Sequence, residues 1–210
     1  MRKINPSSIG KKILIAGAIV ISYTIWKADV FWNYYQFKQL CAAEGGLKIF
    51  EPLGKGMGWQ EKPNSTTDVA MWYASHMPNI GFFRVNRTQY DPLPELGLGE
   101  PIDVRYVGGP TLPSTSYEFK PSDLTRPVVY EIHTKVNDKT PENSRTNLVL
   151  FQVREAESQK VMLVYSQFQF NWRTIPYWHW FGPSGTTGCP LADDEGLRDI
   201  ALINKTAFKE

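Results

Sequence analysis

The sequence is short of the residues that most catalytic chemistry draws on. It has two cysteines, Cys41 and Cys189, and three histidines, His76, His133 and His179. The histidines stand far apart and none has the spacing of paired metal ligands, so no metal centre is expected. No G-x-G-x-x-G, P-loop or G-x-S-x-G occurs. This removes the local signatures of dinucleotide binding, phosphate cradling and the hydrolase nucleophile elbow. Gly97 and Gly99 follow no strong strand and open no helix. There is no internal repeat, and no cofactor is expected. His133 falls on the polar side of an alternating segment and reads as a solvated histidine.

Long apolar runs are equally scarce. One exists, residues 13–26, "ILIAGAIVISYTIW", with no charge in it. Its roughly 14 residues make about 21 Å of helix against a bilayer core of about 30 Å. On length alone it resembles the apolar region of a cleavable signal. No small-x-small cleavage site follows, however; the chain continues "WKADVFWNYY". Val30, Tyr34, Phe37 and Cys41 then recur at spacings of four, three and four, one face of a helix, flanked by Phe31 and Tyr35. The helix is expected to run on to Ala43 and stop at Gly45–Gly46. Lys11, Lys12 and Lys27 can snorkel, and Trp26, Trp32 and Tyr34 suit an interface belt. The chain thus divides into a basic tail (1–12), a transmembrane signal anchor (13–26), an amphipathic juxtamembrane helix (27–45) and an exported domain (46–210).

Charge sets the orientation. Arg2, Lys3, Lys11 and Lys12 precede the span and no acid accompanies them, while Asp29 offsets Lys27. The N-terminus is expected in the cytoplasm and the domain outside, in the periplasm if the cell is Gram-negative. Taking those four basic residues from a net charge of +2 leaves −2 for the remainder. With no basic stripe, nucleic-acid binding is disfavoured.

Beyond residue 44 the composition is rich in Pro and Gly, hence in turns and short elements. Strands are expected at 47–51, 80–87 and 102–107, with a long loop over 52–79 broken by a helical turn at 67–77. Three segments alternate with period two: 127–136, with Val128, Tyr130, Ile132, Thr134 and Val136 on one face; 147–155, with Val149, Phe151 and Val153; and 161–172, with Met162, Val164, Phe168, Phe170 and Trp172. Polar turns separate them, so an antiparallel meander with one buried face is expected. A short closing helix is expected over 191–203, with Asp193 and Asp194 near its start. The fold class is α+β: an antiparallel sheet behind a single N-terminal transmembrane and stalk helix.

Cys189 ends a Gly/Ser/Thr-rich loop that follows "YWHWFGPSG". A nucleophilic reading makes it the thiol of a hydrolase or transferase with His179 as base, oriented by Asp193 or Asp194. A disulfide with Cys41 needs fewer assumptions, because both cysteines lie beyond the span where bridges persist. Two free thiols are the third possibility. Tyr177, Trp178, His179, Trp180 and Phe181 concentrate aromatic area that could bind a ligand or peptide, or plug the end of the sheet. Asn64, Asn86 and Asn204 open N-x-[ST] triplets, which are informative only in a eukaryotic secretory protein.

"LCAAEGGLKIFE" beyond the anchor and "GTTGCP" near the end resemble uncharacterised single-pass envelope proteins of Gram-negative bacteria. That resemblance brings no reaction, cofactor or catalytic residue. The expected function is non-enzymatic binding or scaffolding by a membrane-anchored domain, with an envelope protein as partner.

Overall fold

The computed structural model describes residues 6–63, 65–86, 99–109, 114–137, 145–172, 185–190 and 199–209. Helix α1 (Pro6–Glu44) is continuous over 39 residues, about 58 Å. It is the one described helix long and apolar enough to cross a membrane. It ends where Gly45 donates its amide to the Cys41 carbonyl and Gly46 takes a φ of 97°, a conformation glycine reaches without strain.

Among the described residues, nine strands form one mixed, mostly antiparallel sheet. They are β1 (Gly46–Ile49), β2 (Gly58–Lys62), β3 (Phe82–Asn86), β4 (Pro101–Tyr106), β5 (Tyr117–Pro121), β6 (Val128–Asn137), β7 (Thr146–Glu155), β8 (Val161–Asn171) and β9 (Thr186–Cys189). The order is β1-β8-β7-β6-β2-β3-β4-β5. β6, β7 and β8 pair antiparallel in chain order. The sheet as a whole is not a meander, because β2 inserts between β6 and β3 and runs parallel to both. β2 lies inside the expected loop 52–79, and β5 and β9 lie in segments expected to be irregular. β9 and β1 share the outer edge of β8 end to end: Cys189 registers with Phe168 and Gly46 with Ser166.

The main core lies on one face of the sheet, under α2 (Thr67–His76) and α3 (Asp199–Thr206). Trp59, Phe83, Ile132, Val153, Leu163 and Ile203 are fully buried there, each worth about 1.5–3 kcal/mol of hydrophobic stabilisation or more for the largest. α2 matches the expected turn at 67–77. Of the expected helix 191–203, the part before Asp199 lies outside the described residues. Leu53 ties the chain end to the core through backbone bonds with Ala207 and Lys209.

The expectation of one buried face fails along β8. Leu163 and Tyr165 enter the main core, while Phe168 and Phe170 belong to a second cluster. Alternation places these two pairs on opposite faces. At the far end of β6 the expected inward residues Thr134 and Val136 are exposed, Val136 by 60%, because no described helix covers the strand there.

Candidate functional site

Two arrangements stand apart from the main core. The first mounts α1 on the sheet. Val30 and Phe37 are buried against Phe168, Phe170 and Cys189, with Tyr34, Leu40, Cys41, Leu148 and Trp172 packed around them. The Tyr34 ring lies 5.3 Å from that of Phe170 and 4.7 Å from that of Trp172. Tyr34 is therefore part of this cluster. Trp172 donates its indole N–H to Thr187 Oγ1 at 2.6 Å, which satisfies the polar end of a half-buried ring. Cys41 and Cys189 are disulfide-bonded, with Cα atoms 6.0 Å apart. The bridge forms where β9 ends and β1 begins, so the last turn of α1 is fastened to the seam between them.

The other half of α1 is bare. Every residue from Ile13 to Ile25 is exposed, with Leu14 at 74%. Nothing in the described fold covers this apolar stretch, as a bilayer span requires. The exposed Phe31, Trp32 and Tyr35 follow it, and the rings of Trp32 and Tyr35 stack at 5.9 Å.

The second arrangement is a polar row across the face opposite the main core. Strand register sets Asp103 beside Arg84, Arg84 beside Gln60, Gln60 beside Glu131, and Glu131 beside Arg154. Residues in register share a face, so five side chains from five strands form one line. Within this line Glu131 is 4% exposed. It accepts hydrogen bonds from Gln60 Nε2 at 2.6 Å and Gln159 Nε2 at 3.0 Å, with Lys62 Nζ at 3.1 Å and His133 Nε2 at 3.4 Å. Burial pushes its carboxyl up; the bonds from Gln159, Lys62 and Gln60 and the Lys62 charge outweigh this and hold it below the usual carboxylate range. Gln159 adopts a φ of 58°, rare for a residue with a side chain, as its amide reaches Glu131 from the β7–β8 turn. His133 is half-buried beside this carboxylate rather than freely solvated.

Arg84 grips Asp103 through two N–H groups at 2.7 and 3.0 Å, the bidentate geometry that gives strong, directional pairing. Ser122 donates to the same carboxylate at 2.7 Å, and Arg84 also donates to the Asp123 carbonyl at 2.9 Å. These bonds fasten residues 122–127, which connect β5 to β6 past β4, β3 and β2. Within this connection the Arg126 amide donates to the Asp123 carbonyl at 3.0 Å, closing a turn. Arg126 ends it with its guanidinium 4.4 Å from the centre of the Phe82 ring. Gly58 leaves room for that ring: a Cβ there would lie 2.2 Å from it.

Other expected site residues separate. His76 stacks on Trp72 at 4.7 Å on α2, over the main core, while His133 lies across the sheet. No group of three His, Cys, Asp or Glu among the described residues could hold a metal. Tyr177, Trp178, His179, Trp180 and Phe181 lie outside the described residues, as do Asp193, Asp194 and Asn64. The Trp172 amide donates to the Gly185 carbonyl at 3.1 Å. The side chains of Lys11, Lys12, Trp26 and Lys27 also lie outside the described residues. Asn86 closes β3, and Asn204 accepts a hydrogen bond from Asn79 at 3.0 Å.

Compared with known proteins, the chain matches no family model, no curated relative and no solved structure. What the structure defines is a class: an α+β domain with a mixed sheet, fastened to the distal part of a long helix whose stretch Ile13–Ile25 is exposed.

Proposed function

We propose that this is a single-pass protein of a Gram-negative inner membrane, whose α1 spans the bilayer and carries the α+β domain on the periplasmic side as a non-enzymatic binding or scaffolding module. One observation carries the reading. α1 runs unbroken from a uniformly exposed apolar half into a half fixed to the sheet by an aromatic cluster and a disulfide. No small-x-small cleavage site follows the apolar run, which supports retention of the whole helix. The basic flank before the span supports a cytoplasmic N-terminus. The disulfide supports an oxidising compartment.

The polar row reads as bracing rather than a reaction centre. Glu131 and Asp103 are each saturated with donors, which leaves neither carboxylate free to take a proton from a substrate. A thiol enzyme built on Cys189 requires the bridge to Cys41 to be open. A binding role predicts a partner that stays with the protein through mild detergent extraction of membranes and purification. A protein that elutes alone as a monomer, with no partner captured by prior cross-linking in cells, contradicts that role.

A further inference from the structure

The bare half of α1 fixes a depth scale. Among the described side chains of the helix, Ile13 to Ile25 are all exposed and Val30, 5% exposed, is the first that the domain buries. Taking Ile13 and Val30 as the limits of the bilayer-crossing stretch puts its middle near Ile21. At a rise of 1.5 Å per residue, Phe31, Trp32 and Tyr35 stand about 15, 16 and 21 Å from the midplane. The hydrocarbon edge is at about 15 Å and the headgroup layer extends to about 20–22 Å. These three rings are exposed by 64%, 61% and 55%, although Val30, Tyr34 and Phe37 of the same turns pack on the sheet. Side chains on a helix lean toward its N-terminus, here toward the membrane. Lys38 follows this rule: its ammonium lies back over the Tyr34 ring, 5.7 Å from the centroid. That places the charge about 20 Å from the midplane, at the level of lipid phosphates.

We propose that Phe31, Trp32, Tyr35 and Lys38 form a phospholipid seat, with the rings at the boundary between acyl chains and headgroups and the Lys38 ammonium on a phosphate. The proposal rests on α1 being a membrane span. Phospholipid is favoured over a second copy because the rings continue the lipid-facing surface and sit at the depth where aromatic residues partition, with a cation at phosphate level. The seat would hold the domain against the bilayer, since Tyr34 and the end of β8 share its height.

The test uses the full chain in phosphatidylcholine vesicles whose acyl chains carry bromine near the ester end or near the methyl end. The difference in emission between wild type and Trp32→Phe isolates Trp32. Shallow bromines should quench it strongly and deep bromines weakly, with both proteins melting alike. Lys38→Glu should weaken the shallow quenching. Equal quenching in that variant removes Lys38 from the seat. Retention in alkali-washed vesicles with Trp32 unquenched by either lipid overturns the seat alone. If that unquenched emission changes as protein is diluted in lipid, a second copy covers the rings instead. Loss of the protein from washed vesicles overturns the span and the seat together.

Discussion

Cys41 and Cys189 are 148 residues apart in sequence and meet at one point on the edge of β8, where β9 hands over to β1. The bond closes nearly the whole domain into a loop. In the chain-entropy account such a loop stabilises by about 5 kcal/mol at most. Cys41→Ser and Cys189→Ser should therefore lower stability alike, and the double variant should be little worse than either. Alkylation before and after reduction checks the bond: no thiol should react until the reductant is added. Two thiols reacting at once in protein taken from membranes would contradict it.

The second cluster should behave as a core separate from the first. Phe170→Ala removes a fully buried ring and should cost about 3–5 kcal/mol. Phe31→Ala, on the opposite side of α1, should stay within about ±0.5 kcal/mol. Melting of both variants in detergent checks the contrast. Equal losses would mean that the exposed side of the helix is packed after all.

Gly58 and Phe82 should be energetically coupled. Gly58→Ala drives a methyl into the Phe82 ring and should cost about 1–3 kcal/mol. In a Phe82→Leu background the same substitution should cost clearly less, because the ring that blocks the methyl is gone. A double-mutant cycle by chemical denaturation measures this; strict additivity would show that the backbone, not the ring, objects to the methyl.

Acid should expose the polar row. The Glu131 carboxyl is held below its ordinary value in the folded chain by its donors. A depressed carboxylate contributes stability above its unfolded pKa, about 4.3, and that contribution is lost as pH falls through the lower folded value. Glu131→Gln should flatten the fall in stability below about pH 4. Glu131→Ala should cost about 1–3 kcal/mol at neutral pH by leaving the Gln60 and Gln159 amides unpaired. An unchanged acid profile in Glu131→Gln would remove Glu131 from the network.

The parts legible in the sequence were those written in one segment. The four-three-four spacing of Val30, Tyr34, Phe37 and Cys41 marked the side of α1 that the sheet covers. Alternation marked β6, β7 and β8. β2 was not legible: "GWQEK" holds a single large apolar residue, and its parallel neighbours are set by distant strands. The polar row was hidden for the same reason. Asp103, Arg84, Gln60, Glu131 and Arg154 become neighbours only through the register of five strands. Tyr34 sits on the helix side that carries Phe37, and only its contact with Phe170 and Trp172 shows that it serves the domain.

The central claim is that α1 is retained as a span and holds the domain outside. A reporter active only in the periplasm, joined after Glu210, tests it together with N-terminal sequencing of the mature protein. The account predicts an active reporter on a chain that still begins with the basic segment before Ile13. An inactive reporter, or a mature chain beginning near Asp29, would contradict it.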